Sequence, residues 1–280
     1  VSSGADLRFE FGRNWKKFAE RHFSEERLEV SRKHILEFLK KDNLEGLYFL
    51  DIGCGSGLHS LAALKSEAAR VVSFDFDPVA VATTKMLREH AGSSPRWEVH
   101  QGSILDPDFL ETVEPADVVY SWGVLHHTGD VWRALDNSVK VVKPGGAFYV
   151  ALYDYDAYVD PSPEFWLGVK RRYVESGWLT RRKMELWYIW RIHLGRRLSR
   201  LPALVKCIRD YKGSRGMAFY TDVVDWLGGW PMEFVKRTDV DEWAKSRSLS
   251  LTNLKTGEAN TEYLFRYSSA AGRPKGEFVE

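Results

Sequence analysis

The sequence predicts an α/β fold, a mostly parallel sheet with helices on both faces and a helical insertion after the fifth strand. Three observations predict it. The run YFLDIGCGSGLHSL, Tyr48 to Leu61, reads as a buried strand, a glycine-rich turn and a helix start. Apolar runs then alternate with helix-like segments as far as Tyr153, the rhythm of parallel strands joined by right-handed crossovers. After Tyr153 that rhythm gives way to a basic, aromatic stretch.

The elements follow in order. Trp15, Phe18, Phe23, Leu28, Ile35, Leu36, Phe38 and Leu39 recur at helical spacing, so two helices precede the first strand, Leu47 to Leu50. Leu58 to Lys65 is the first crossover helix, and Val71 to Phe74 the second strand. Asp77-Pro78 supplies a cap and a first turn for a helix to His90. Trp97 to His100 and Asp117 to Ser121 are strands three and four, the latter too apolar to face water. A helix from Asp130 to Val142 stops at Lys143-Pro144-Gly145-Gly146, and Ala147 to Tyr153 is strand five. Asp154 to Tyr220 is a mostly helical insertion, and Asp222 to Glu233 a glycine-rich loop. Asp239 to Ser248 is the last helix, with strands at Leu249 to Leu254 and Glu262 to Tyr267. Four regions result: 1–43 as a helical lid, 44–153 as the ligand-binding core, 154–235 as a basic aromatic cap, and 236–280 completing the core.

Composition bounds the function. The 280 residues are 44% hydrophobic and 28% charged, which suits one packed domain with an insertion. Cys54 and Cys207 make neither a disulfide framework nor a zinc site, and predict a reducing, cytoplasmic setting without metal. No apolar run is long enough to span a bilayer. Net charge is only +1, yet Lys170 to Arg215 holds fourteen Lys and Arg against Glu175, Glu185 and Asp210. That basic stretch predicts an anionic substrate, shallow contact with a membrane surface, or a nucleic-acid track. Nucleic-acid recognition signatures are missing, which disfavours the third. A solvated helix packed through its Leu and Trp residues is the plain alternative.

The glycine turn carries the chemistry. Asp75 ends the second apolar run, twenty residues after Gly55, which is the grammar of an adenosine-type ligand with its ribose hydroxyls on an acid. The spacing is GxGxG (Gly53, Gly55, Gly57), with Leu58 where a dinucleotide fingerprint wants its third glycine. Asp51 sets a negative charge beside the loop, unwelcome to a pyrophosphate and favourable to a cationic cofactor. His126 and His127 leave strand four, where open α/β sheets place ligands, and either is a candidate general base. Adjacent histidines on a strand point to opposite faces, so a shared metal is not expected. Tyr153 and Tyr155 end strand five at the same sheet edge, as acceptor contacts or solvated strand-end residues. Tyr220 and Trp226 are candidates for a substrate wall, and His193 is a further candidate base. Phe11, Gly12 and Trp15 form either a hydrophobic staple or an aromatic lid whose indole would attract a cationic ligand.

LDIGCGSG resembles the first motif of the class I S-adenosylmethionine methyltransferases. FDFDP resembles their ribose-binding strand end, and QGSILD (Gln101 to Asp106) their adenine-side loop. ADVVYSWGVLHH resembles their fourth strand and its exit, and KPGGAFYVALY the turn into their fifth. RFEFGRNWKKF and DWLGGWPMEF resemble a bacterial small-molecule branch. The resemblance implies a Rossmann-like seven-stranded sheet ending in an antiparallel hairpin. It also implies S-adenosylmethionine as cofactor, with S-adenosylhomocysteine as product. Asp51 and the Gly53–Gly57 backbone would surround the methionine portion, Asp75 would take the ribose hydroxyls, and Phe76 would flank the adenine. Ser103 would meet the adenine edge by side chain and Ile104 by backbone N–H, Asp106 capping the local loop instead. Ser121 and Trp122 would line the same exit.

Function is then expected to be methyl transfer to a small molecule, leading with oxygen of a natural product, sugar or lipid-linked anionic metabolite. Carbon and nitrogen acceptors stay open, as do an RNA or protein acceptor, a non-catalytic cofactor-binding role, peripheral membrane contact and self-association. SWGV at the strand-four exit argues against exocyclic amines of nucleic acid as acceptors. The insertion is expected to select the substrate, with Arg181 and Arg182 as its leading cations.

Overall fold

The computed structural model describes residues 8–211, 219–257 and 260–268. Lys212 and Arg215 of the basic stretch lie outside the described residues. Seven strands form one sheet in the order β3-β2-β1-β4-β5-β7-β6. They are β1 (Tyr48–Ile52), β2 (Arg70–Asp75), β3 (Trp97–Gln101), β4 (Ala116–Trp122), β5 (Val142–Tyr153), β6 (Leu249–Thr256) and β7 (Asn260–Tyr267). The first five pair in parallel; β7 runs antiparallel between β5 and β6. The expected seven-stranded sheet and terminal hairpin are therefore present.

The central strands β1, β2, β4 and β5 are apolar on both faces because both are covered. Phe49, Val71, Val118 and Tyr149 join one core cluster, while their neighbours Leu50, Val72, Val119 and Phe148 join the other. That alternation is the two-residue period of a pleated strand. Helices α2 (Glu25–Leu39) and α3 (Leu58–Lys65) pack in the first cluster, α6 (Val131–Lys140) and α11 (Arg237–Ser246) in the second. α1 (Phe11–His22) packs on α4 (Pro78–His90).

Caps set several helix starts. Ser24, Asp77 and Asp130 accept backbone N–H groups at the heads of α2, α4 and α6. Asp106 caps α5 (Pro107–Glu111), a one-turn helix that apolar periodicity does not reveal.

The insertion has its own apolar cluster, centred on Trp166, Tyr173, Val223, Trp226 and Leu227. It contains α7 (Pro163–Glu175), α8 (Trp178–Tyr188), a π-helical turn Ile189–His193 and α9 (Leu201–Asp210). The expected glycine-rich loop from Asp222 is instead largely helical, α10 (Phe219–Gly228). Val223, Trp226 and Leu227 bury one side of it, and that burial outweighs the glycines clustered at its end. The expected strand geometry of the two histidines also fails, since Leu125–His127 is a 3-10 turn.

Candidate active site

Parallel strands deliver their C-terminal ends to one edge, and the crevice opens where β1 and β4 send their connections to opposite sides. A cavity of about 1010 Å³ occupies that edge. The glycine loop, Asp75, Phe76, Ser103 and Ile104 line one end; Tyr153, Tyr158, Trp166 and Trp226 line the other.

The loop is built by close approach. Gly53, Gly55 and Gly57 all take positive φ. A Cβ on Gly53 would stand 2.4 Å from the Val124 side chain, and one on Gly55 would stand 3.2 Å from Trp15 Nε1. Asp75 ties the loop to β2: one carboxylate oxygen accepts Gly55 N–H at 3.0 Å and the other accepts Asp77 N–H at 2.9 Å. A carboxylate offers about four lone-pair sites, more than these backbone donors fill, so acceptor capacity remains for a ligand hydroxyl. Burial pushes Asp75 up to about 6. Phe76 is exposed on the cavity wall under the Arg8 guanidinium, 5.4 Å from its ring centre. Ser103 Oγ accepts Leu105 N–H at 3.1 Å and keeps a lone pair and its proton for a ligand.

α1 and the residues before it close one side. Gly12 N–H donates to Asp77 Oδ2 at 2.8 Å, and Asn14 Nδ2 donates to Asp225 Oδ1 at 2.8 Å. Phe9 N–H donates to Trp230 O at 2.9 Å, and the Phe11 ring lies 5.0 Å from that of His127. One short segment thus bridges the sheet edge and the insertion over the glycine loop. The staple-or-lid reading singled out Phe11, Gly12 and Trp15 but not Arg8, Phe9 and Asn14, whose partners are distant in the chain.

His127 lines the cavity. Its Nδ1 lies 2.8 Å from the Pro231 carbonyl, which can only accept, so Nδ1 carries the proton and Nε2 keeps its lone pair. Burial, together with the Lys170 charge, lowers His127 to about 3, so the ring is neutral.

Six expected contacts lie elsewhere, each for a local reason. Asp51 points into the core, accepting Ser60 Oγ–H at 2.5 Å; Ser60 in turn accepts Ser73 Oγ–H, which accepts Trp97 Nε1–H. Burial raises Asp51 to about 7. Gly57 is the left-handed N-cap of α3, pressed against Thr84 of α4. Ser121 Oγ donates to Ile52 O beneath the strands. His126, the other expected base, is fully buried and absent from the cavity wall, its ring packed 4.4 Å from that of Tyr153. Tyr155 Oη turns outward to Glu164 at 2.9 Å, and Tyr220 Oη donates to Glu185.

Arg181 and Arg182 also serve the insertion's own structure. Arg181 donates to the Tyr173 and Val174 carbonyls, and Arg182 pairs with the buried Glu185 at 2.7 Å. A cation that sequence reasoning did not single out lies behind the aromatic end of the cavity without lining it. Lys170 is fully buried, donates to Trp226 O, and sits 3.8 Å from the Trp226 ring centre. Burial lowers its pKa well below 10.5. The signal was present: Trp166, Lys170 and Tyr173 fall at i, i+4 and i+7 on one face of α7. Among the described residues no group of His, Cys, Asp and Glu is placed to hold a metal.

Residues 50–148 match the family model of a methyltransferase domain. The chain carries a methyltransferase domain over those residues. A ubiquinone biosynthesis O-methyltransferase of Rhizobium rhizogenes is 34% identical over 145 residues, 48% of this chain and 55% of that protein. A ribosomal protein L11 methyltransferase of Photobacterium profundum is 32% identical over 117 residues, 41% of this chain and 37% of that protein. The chain thus matches from about a third to just over half the length of these curated relatives. The methyltransferase fold extends beyond the matched segment. An O-methyltransferase family protein from Burkholderia thailandensis superposes with a TM-score of 0.53 at 13% identity, covering 87% of this chain and 56% of that one. A SAM-dependent methyltransferase from Aquifex aeolicus gives 0.51 at 12%, covering 90% and 98%. Among the described residues no helix is long and apolar enough to cross a membrane.

Proposed function

We propose that the chain is an S-adenosylmethionine-dependent methyltransferase whose acceptor is a small molecule methylated at oxygen. The carrying observation is that one cavity runs from the glycine loop and Asp75 to an aromatic chamber in the insertion, under α1. The loop end fits the cofactor. Gly53 and Gly55 line the cavity with bare backbone, Val124 and Trp15 standing where Cβ atoms would reach, Asp75 keeps acceptor capacity beside them, and Phe76 offers a ring face. Trp15 lies against Gly55, where a sulfonium gains from an indole face. Bound there, S-adenosylmethionine supplies an electrophilic methyl group.

The chain's own contribution is alignment, exclusion of water and proton removal. Alignment is the largest, up to roughly 7–11 kcal/mol for well-oriented reactants. Residues 1–43 act as lid and 154–235 as cap in this reading. Tyr153, Tyr158, Trp166 and Trp226 shape a chamber for a flat or prenyl-type acceptor. His127 Nε2 takes the acceptor proton. A hydroxyl becomes strongly acidic as its oxygen gains a methyl group, so a neutral imidazole of lowered pKa suffices.

The deciding experiment incubates methyl-labelled S-adenosylmethionine with the protein and a bacterial extract, then separates the label. Label in the organic or small water-soluble fraction supports the reading. Label in nuclease- or protease-sensitive polymer replaces the small molecule with a macromolecule.

A further inference from the structure

Helix α9 buries none of its residues. Leu201, Val205 and Ile208 fall at i, i+4 and i+7 and form one apolar stripe, 43%, 63% and 47% exposed. Leu186, Trp190, Ile192 and Leu198, just before it in the chain, are exposed as well. Aliphatic area of this kind on a surface marks a contact. The same stretch is strongly basic. Residues 178–209 hold nine Lys and Arg and one acid, Glu185, which is buried against Arg182, Tyr173 and Tyr220. Asp210, at the end of α9, pairs with Arg209.

We infer that the α9 stripe and the π-helical turn dock on an anionic lipid surface. Apolar side chains that enter the headgroup boundary beside cations that meet anionic lipid are the chemistry of an interfacial helix. A second copy of the chain would set this basic stretch against itself, which the charge opposes. RNA would ask for a track of exposed rings on which bases stack; the α9 stripe is aliphatic, and Trp190 of the π-helical turn, 38% exposed, puts a single indole beside it.

The cavity lies alongside. Ile192 and His193 of the π-helical turn line it. Ile192, Asp160 and Pro161 also line a neighbouring shallow depression, which Arg191, Gly195 and Arg196 complete. The docking surface and the outer end of the cavity therefore share residues. The acceptor is then an amphiphile drawn from the lipid phase, with its anionic head near Arg191 and Arg196. This last clause rests on the proposed methyl transfer; the docking does not.

The test is flotation of the full chain with phosphatidylcholine vesicles, with and without phosphatidylglycerol. The expected result is flotation with the anionic vesicles alone, weakened by salt. Val205→Asp with Ile208→Asp should reduce it at least about tenfold, and Lys206→Gln with Arg209→Gln should reduce the preference for phosphatidylglycerol. Cofactor affinity by calorimetry, unchanged in both variants, reports that the core is folded. No flotation with anionic vesicles, or flotation indifferent to both variants, overturns the inference. So does a dimer in sedimentation that the aspartate variant dissolves while vesicles hold nothing, or retention by RNA in place of vesicles. A protein that floats yet transfers no label keeps the docking and loses the methyltransferase reading.

Discussion

The backbone N–H of Gly12 donates to the Asp77 carboxylate at 2.8 Å, tying the first turn of α1 to the cap of α4. A Cβ on Gly12 would stand 2.6 Å from the Ala80 backbone nitrogen, which has no room to retreat within α4. Gly12→Ala is therefore expected to lift α1, and with it Trp15, from the glycine loop. Cofactor affinity should fall by roughly tenfold or more, the size of one lost charge-assisted hydrogen bond, with the melting temperature little changed. Calorimetric titration checks this; unaltered affinity would mean that α1 is no part of the cofactor site.

Asp75 holds the loop and faces the cavity, so Asp75→Ala should weaken cofactor binding by about a hundredfold, two hydrogen bonds to a charged acceptor being lost. Its carboxylate is pushed up to about 6 by burial. Only the ionised form accepts two hydroxyl protons, so affinity should be level above that value and fall as pH drops through it, by up to about tenfold per pH unit. Affinity that stays constant down to pH 5 would remove Asp75 from the ribose.

His127→Ala should lower kcat by about 10²–10⁴-fold and leave the cofactor Kd as it is. Because burial and Lys170 hold the ring neutral, with its pKa near 3, the rate should show no histidine inflection around neutrality. A pH–rate profile with an inflection near 6.5 that His127→Ala abolishes would contradict the neutral-base assignment.

Lys170 yields a stability prediction. Its folded pKa is lowered well below 10.5 by burial, with Asp225 opposing. Across that window the unfolded chain binds a proton that the folded chain does not, so stability should climb as pH rises from the lowered value toward 10.5. Lys170→Met removes the group, and the alkaline climb in melting temperature should flatten. A climb that persists unchanged in the variant would show that another group causes it.

Legibility varied with the range of the interaction. The central strands were readable because burial on both faces makes each a short apolar run, and the α4 cap because Asp77-Pro78 acts within three residues. The helix α10 was hidden: its glycines argue for a loop, and only packing of Val223, Trp226 and Leu227 against the insertion overrides them. His126 and His127 read as equivalent, yet the turn that carries them buries one fully and leaves the other on the cavity wall. Asp51 read as a ligand contact, because nothing local announces Ser60 as its partner.

By itself, the sequence determined the sheet, the glycine loop and the acid that faces it, since each is specified by neighbours a few residues apart. The tertiary structure alone decided which candidates share a cavity. Asn14 reaches Asp225, and Lys170 reaches Trp226, across long stretches of chain. Such pairings depend on how elements pack rather than on their order. That is why the glycine-loop end of the cavity was legible in advance and its aromatic end was not.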